Sequence, residues 1–190
     1  MKKADRLPWE SSIKQLKYRE VVNPLLVINE IFVVDWVYGH KKKLKKWRYF
    51  VTHDKSYCDK NHGAGSLLFT YDLNIRLLES CYLLYHADTT GNIVITATEV
   101  EKEKLELDWY PKNLTKKELL NPLKTMRDVF KKTGIDQYRD QLHEWLYAAL
   151  YVKGGNDELH YKEIRKVHRM MLKVYSAVWL IYHRTVVKHQ

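Results

Sequence analysis

Apolar residues recur at spacings of three and four along most of the chain, a pattern typical of helices with one buried face. The two longest runs predict long helices in the middle and at the end of the chain. Their apolar positions are Leu68, Tyr71, Ile75, Leu78, Tyr82 and Tyr85, and then Ile164, Val167, Met171, Val174, Val178, Ile181 and Thr185. Shorter runs precede each long one. The chain is therefore predicted to be mainly all-α, a bundle of about six helices.

The two halves of the chain share a pattern at a constant offset of 98 positions. Residues 16–51 align with residues 114–149 without a gap, and nine aligned pairs are identical. Each segment contains an Asn-Pro pair, and this pair is a strong helix start because Asn caps a helix and Pro suits its first position. We therefore expect an internal duplication within one domain at 1–190, with copy one at about 16–86 and copy two at about 114–184.

Two identical pairs, Trp47 with Trp145 and Leu44 with Leu142, lie in the second helix of each copy. Both tryptophans are predicted to pack in the core. Between the copies the apolar period changes to alternation, first over residues 93–97 and again over residues 105–109. This alternation predicts a small β-hairpin insert at about 91–110.

Composition narrows the class of protein. At 45% hydrophobic residues the 190-residue chain can bury a sizeable core, and its longest apolar stretches are too short for a membrane span. Two cysteines make no disulfide framework, so we expect a cytoplasmic protein with reduced thiols. The net charge of +10 points to an anionic partner, which could be RNA, DNA or an acidic protein.

The second helices of the two copies differ most in charge. The first carries a basic run of six residues, while the matching segment at 138–146 is nearly neutral. A cationic helix with an aromatic residue beside it suits a phosphate backbone, and a solvated helix face is the alternative explanation of the run. The candidate nucleic-acid-binding residues are Lys41, Lys42, Lys43, Lys45, Lys46 and Arg48.

A second basic stripe lies on the last helix, opposite its apolar seam. It comprises Lys162, Arg165, Lys166, Arg169 and Lys173. The sequence leaves open whether this stripe lies beside the first basic run. In the middle helix, Arg76 and Glu79 are expected to form an ion pair across one turn.

One polar loop holds residue types that bind zinc. His53, Cys58 and His62 lie there with Asp54 and Asp59 nearby. Their spacing matches no zinc motif, so we expect a solvated loop and neither a metal site nor a cofactor.

The segment Arg184-Thr185-Val186-Val187-Lys188-His189 follows the apolar seam of the last helix. This segment resembles the Arg-x4-His pattern of HEPN domains, which are small helical domains. Many of them act as metal-independent RNases or as toxin–antitoxin partners. The resemblance implies RNA cleavage with Arg184 and His189 as the catalytic residues.

Three functions are consistent with these features of the sequence. The leading hypothesis is a non-enzymatic protein that binds nucleic acid or an acidic partner through the basic helix. The second is the HEPN-like RNase or toxin–antitoxin component. The third is a protein-interaction module, in the form of a homodimer that uses aromatics such as Trp36, Trp109 and Trp179.

Overall fold

A computed structural model describes residues 11–53, 55–59, 63–87, 93–151 and 160–187. These residues contain nine α-helices and no strand. The helices are α1 (Tyr18–Val22), α2 (Leu25–Val34), α3 (Val37–Thr52), α4 (Gly65–His86), α5 (Ala97–Glu106), α6 (Lys116–Leu120), α7 (Leu123–Phe130), α8 (Ile135–Leu150) and α9 (Tyr161–Thr185). The all-helical prediction is confirmed. The expected six helices are all present, and the short helices α1, α5 and α6 are additional.

Helix positions in the two halves correspond along the chain. α3 and α8 are both 16 residues long, and both their first and last residues lie 98 positions apart. The Asn-Pro pairs start α2 and α7 in the same way. Asn23 Oδ1 accepts a hydrogen bond from the backbone N–H of Leu25 at 3.2 Å, and Asn121 Oδ1 accepts one from Leu123 at 3.1 Å.

One hydrophobic core runs through both halves. At its centre Trp47 and Trp145 are fully buried, with their rings edge to face at 5.6 Å between centroids. Trp47 Nε1 donates a hydrogen bond to the Trp145 carbonyl at 3.1 Å. The long helices also meet through a buried polar contact, in which the Tyr175 hydroxyl donates to Asn74 Oδ1 at 3.0 Å. The predicted core role of both tryptophans is confirmed.

The prediction of a β-hairpin at 91–110 is wrong, because helix α5 occupies residues 97–106. Thr96 and Glu99 form a reciprocal capping box: the Glu99 N–H donates to Thr96 Oγ1 at 3.3 Å, and the Thr96 N–H donates to Glu99 Oε2 at 2.8 Å. The apolar alternation belongs mainly to the residues flanking the helix. The segment between them consists mostly of Glu, Lys and other good helix formers, which complete the helix.

Buried carboxylates tie the short helices to the long ones. Glu20 of α1 lies 3.2 Å from Arg76 Nη2 of α4, and Glu118 of α6 lies 2.9 Å from Lys173 Nζ of α9. Both glutamates are at most 3% exposed, so each needs its cationic partner. Lys173 is thereby withdrawn from the basic stripe that the sequence predicts on α9.

The expected ion pair between Arg76 and Glu79 is absent. Arg76 instead binds Glu30, with Nη2 and Oε2 2.7 Å apart, in addition to Glu20. Glu79 is fully buried and pairs with Arg139 of α8, and it also accepts backbone N–H groups from residues 14–16 at 2.9–3.1 Å. Helical spacing could not reveal these partners, since they come from distant parts of the chain.

Candidate nucleic-acid interface

The basic run lies on α3, which packs antiparallel against α9. Near the start of α3 the His40 ring stacks on Tyr175 with centroids 5.3 Å apart. Further along α3, the positive charges of Arg48 and Lys45 act on His168, which lies seven residues before Tyr175 in α9. Rising numbers on α3 thus meet falling numbers on α9. The basic run and the basic stripe of α9 are therefore neighbours, which the sequence had left open.

Lys41 points into the structure. Its Nζ donates to Ser176 Oγ at 2.6 Å and lies 4.3 Å from the centre of the Trp109 ring. Burial lowers the pKa of Lys41 to about 8, since no carboxylate among the described residues forms an ion pair with it. This lysine holds α3 to α9 and is not presented to a ligand at the surface.

Lys43 and Lys46 are neutralised within the chain. Lys43 Nζ lies 2.8 Å from Asp35 Oδ2, and Lys46 Nζ lies 3.0 Å from Asp59 Oδ2. Lys46 also lies over the Tyr57 ring, at 4.9 Å from its centre. Partial burial opposes ionisation of both Asp35 and Lys46, yet the hydrogen-bonded partners outweigh it: the pKa of Asp35 is lowered and that of Lys46 is raised.

The other three residues of the run face outward. Lys42 and Lys45 are exposed and Arg48 is half-buried, and none of them forms an ion pair with a carboxylate in the described ranges. The six predicted binding residues thus fall into two groups. Lys41, Lys43 and Lys46 serve the fold, whereas the outer group (Lys42, Lys45 and Arg48) keeps its charge available.

The stripe on α9 keeps four of its five cations. Lys162, Arg165, Lys166 and Arg169 are exposed, and no ion pair joins them to a carboxylate within the part of the chain that the structure describes. Arg165 and Arg169 lie eleven and seven residues before Ser176, which Lys41 contacts, so helical spacing places both on the side of α9 that faces α3. We call Lys42, Lys45, Arg48, Arg165 and Arg169 the α3–α9 basic face.

His168 lies beneath this face. It is 6% exposed, and its Nε2 has no hydrogen-bond partner among the described residues. Burial, and then the charges of Arg48 and Lys45, lower the pKa of His168 to about 4. The imidazole is therefore neutral at physiological pH and does not add to the charge above it.

Two exposed tyrosines flank the cations of α3, and neither is among the binding residues that the sequence predicts. Tyr38 is 62% exposed and Tyr49 is 40% exposed. Together with Lys42 and Lys45 they follow the spacing i, i+4, i+7 and i+11, which places all four on one side of the helix. That spacing could have identified the tyrosines from the sequence, but the prediction considered only the run of positive charges.

The matching positions of α8 have the opposite character. At the offset of 98, Tyr38 corresponds to Asp136, Lys42 to Asp140 and Lys45 to His143. Asp136 binds Lys14 at 2.9 Å and Arg139 at 2.7 Å, so it contributes to the fold. The combination of cations and tyrosines on one side of the helix is thus found in α3 and not in α8.

Arg184, the candidate catalytic arginine, is 1% exposed. Its Nε and Nη2 bind the two carboxylate oxygens of Glu103 at 3.0 and 2.8 Å, and it donates to the carbonyls of Ile93 and Leu119 at 2.8 Å each. The guanidinium joins α5 and α6 to α9, and contact with RNA requires this pair to open. His189 lies outside the described residues.

The polar loop offers no metal centre in its described part. His53 Nδ1 lies 2.8 Å from the Tyr49 carbonyl, and Asp59 is engaged by Lys46. Asp54 and His62 lie outside the described residues. Elsewhere in the described ranges no three His, Cys, Asp or Glu side chains are grouped so that they could hold a metal ion. Cys58 is an exposed free thiol.

The three tryptophans proposed for a homodimer form one cluster. The Trp179 ring lies 6.2 Å from Trp36 and 6.4 Å from Trp109, measured between centroids. Trp179 is mostly buried, and Trp36 remains 45% exposed at the edge. The cluster stabilises the junction of α2, α9 and the segment that carries Trp109, and it leaves one indole at the surface.

Comparison with known proteins gives no relative. No family model matches the chain, and neither characterised proteins nor solved structures show a significant match to it. Among the described helices, none is both long and apolar enough to cross a membrane.

Proposed function

We propose that this protein is a non-enzymatic nucleic-acid-binding protein that holds phosphates on the α3–α9 basic face. One observation carries the proposal: two helices that pack on each other both carry cations on their outer sides, and none of these five cations is paired with a carboxylate in the described structure. Like charges side by side repel one another, so such a face costs stability unless an anion binds there.

The outward cations of α3 suit a repeating anion. Lys42, Lys45 and Arg48 follow each other every three residues, which corresponds to steps of about 4.5 Å along a helix. A phosphate backbone presents charges at a comparable interval, about 3.4 Å of rise per nucleotide of one strand. Contacts to phosphates alone carry no sequence information, so binding is expected to be non-specific, with Kd on the order of 10⁻⁴–10⁻⁶ M at physiological salt.

We also propose that the two halves are copies of one helical unit. The matched bounds of α3 and α8 support this, as do the equivalent Asn caps and the buried Glu20 and Glu118, each paired with a cation of the following long helix. In this account helix α3 of copy one acquired outward cations, while the matching helix α8 of copy two kept only the shared core positions. A cytoplasmic protein with free thiols is consistent with such a ligand.

The test compares the outward and inward cations of the same helix. The variant Lys42→Gln/Lys45→Gln removes two outward charges, and Lys43→Gln/Lys46→Gln removes two that already have carboxylate partners. We expect the first to weaken binding of a fluorescent oligonucleotide at least several-fold and the second to change it little, as read by anisotropy. Equal loss in both variants, or loss in neither, contradicts the proposal.

Polyglutamate serves as the second probe, because an acidic protein is the competing partner. Under the proposal it binds more weakly than the oligonucleotide at equal salt. If polyglutamate binds as tightly, the face recognises negative charge in general and the assignment to nucleic acid is wrong.

A further inference from the structure

We infer that the α3–α9 basic face takes single-stranded nucleic acid, whose unpaired bases stack on Tyr38 and Tyr49. This inference rests on the proposed function and names the ligand class of the same site. It depends on the placement of the two exposed rings on the side of α3 that also carries Lys42 and Lys45. Aromatic platforms beside cations are the arrangement by which proteins hold single strands without sequence preference.

Along this side of α3 the side chains follow in the order aromatic ring, cation, cation, aromatic ring. Tyr38 and Tyr49 lie eleven residues apart on one continuous helix, a distance of about 16 Å along its axis. A stacked strand covers this length with about five nucleotides at 3.4 Å each. A strand laid along α3 can therefore place phosphates at Lys42 and Lys45 while one base reaches each tyrosine.

Tyr49 is already part of a ring stack. The imidazole of His53 lies over it with centroids 4.1 Å apart and planes 25° from parallel. His53 is held there through its Nδ1, which lies 2.8 Å from the Tyr49 carbonyl. One face of the tyrosine is thus covered and the ring is fixed in orientation. The opposite face is where a base extends the stack, at a lower entropic cost than a freely rotating ring imposes.

A duplex cannot use these rings in the same way. Its bases are paired and stacked inside, so only phosphates, sugars and groove edges reach a side chain. Phosphate contacts alone leave Tyr38 and Tyr49 without a role. Their arrangement around the cations accordingly favours a strand whose bases are free.

The second half supplies a matched control. Tyr147 of α8 lies 98 residues after Tyr49 and is 48% exposed, so it is equally available to solvent. Its helix carries Asp140 and His143 where α3 has Lys42 and Lys45. Tyr147 thus tests whether any exposed tyrosine of this fold contributes to binding, or only those beside the cations.

The experiment uses the full chain and two probes: a fluorescent oligouridylate, and the same strand annealed to oligoadenylate. Tyr38→Leu and Tyr49→Leu remove the rings, Tyr38→Phe and Tyr49→Phe retain them, and Tyr147→Leu is the control. We expect Tyr38→Leu and Tyr49→Leu each to weaken single-strand binding by roughly 5–150-fold. The Phe variants and the control should bind as the parent does, and duplex affinity should not change.

The outcomes separate this inference from the proposed function. If both probes bind equally and the Leu variants bind normally, stacking is wrong, while dependence on Lys42 and Lys45 still upholds phosphate binding. If the Phe variants lose affinity like the Leu variants, the hydroxyls and not the rings are used, and stacking is again overturned. If neither probe binds, the proposed function itself fails.

Discussion

Asp35 and Lys43 form an ion pair that starts helix α3, with Lys43 Nζ 2.8 Å from Asp35 Oδ2. The other carboxylate oxygen accepts the Trp36 N–H at 2.8 Å. Gly39 allows this arrangement, because a Cβ there would lie 2.2 Å from Asp35 Oδ1. One lysine of the basic run is therefore committed to its own helix, whereas its neighbour Lys42 is exposed.

The close approach at Gly39 reverses the usual effect of a helical glycine. Gly39→Ala should gain about 1 kcal/mol of helix propensity, but it displaces the Asp35 carboxylate and forfeits its contacts. We expect no net gain in the free energy of unfolding in the parent, measured with urea. In an Asp35→Ala background the same change should stabilise by about 1 kcal/mol. A gain of equal size in both backgrounds contradicts the account.

Arg184 is predicted to act in stability. Arg184→Ala removes the guanidinium that binds both carboxylate oxygens of the buried Glu103, which should cost about 3–5 kcal/mol of unfolding free energy. Replacing both residues, as Arg184→Met/Glu103→Leu, should recover much of this loss. Urea unfolding of the two variants gives the comparison. If Arg184→Ala unfolds like the parent, the pair does not hold α5 to α9.

Equivalent capping should give equal effects in the two halves. Asn23→Ala and Asn121→Ala each remove a side-chain acceptor from the backbone N–H two residues on. Each should lower the unfolding free energy by about 1 kcal/mol, and the double variant by their sum. Denaturant titration is sufficient to resolve this. A large effect in one half and none in the other contradicts a shared local structure at these starts.

The Asn-Pro helix starts and the buried tryptophans could be predicted because they depend on local spacing. Helix α5 could not, since the alternation of its flanks masked the capping box of Thr96 and Glu99. The partners of Arg76 were also missed, because Glu20 and Glu30 reach it only through packing. Local periodicity thus gave the main helices, and tertiary contacts decided the charged anchors.

At the candidate site the sequence correctly places a basic helix but cannot sort its charges. Whether a lysine faces solvent depends on what its helix packs against. Lys41 meets Ser176 and Trp109, which lie far along the chain. The neighbourhood of α3 and α9 is likewise a result of tertiary packing. Helical spacing was sufficient to place Tyr38 and Tyr49 beside Lys42 and Lys45, but the prediction did not include these tyrosines.

His168 provides a probe of the contact between α3 and α9. Its pKa of about 4 is lowered by burial and then by Arg48 and Lys45. Removing either charge, as Arg48→Gln or Lys45→Gln, should raise the pKa measured by NMR titration of the imidazole. Removing Lys42, which does not act on His168, should leave it unchanged. If all three variants titrate alike, α3 does not hold these cations against α9.

The same histidine makes stability depend on pH. Its folded pKa of about 4 lies below the ordinary value of 6.5, so between these two pH values the unfolded chain binds more protons there than the folded chain. Stability should therefore fall as the pH drops from about 6.5 to about 4. His168→Gln should reduce this slope, leaving the shares of the other groups whose pKa is lowered, which are His40, His86 and the carboxylates of Glu30, Asp35, Glu118 and Asp136. An unchanged slope indicates that His168 is not buried as a neutral group.

The salt dependence of oligonucleotide binding tests the central claim most directly. For single strands, log K falls with log salt by about 0.7 for each phosphate neutralised. The variant Lys42→Gln/Lys45→Gln/Arg48→Gln should therefore reduce the slope by about 2 relative to the parent. The control Lys43→Gln/Lys46→Gln should leave the slope unchanged. An unchanged slope in the triple variant, or an equal reduction in the control, contradicts binding on the α3–α9 basic face.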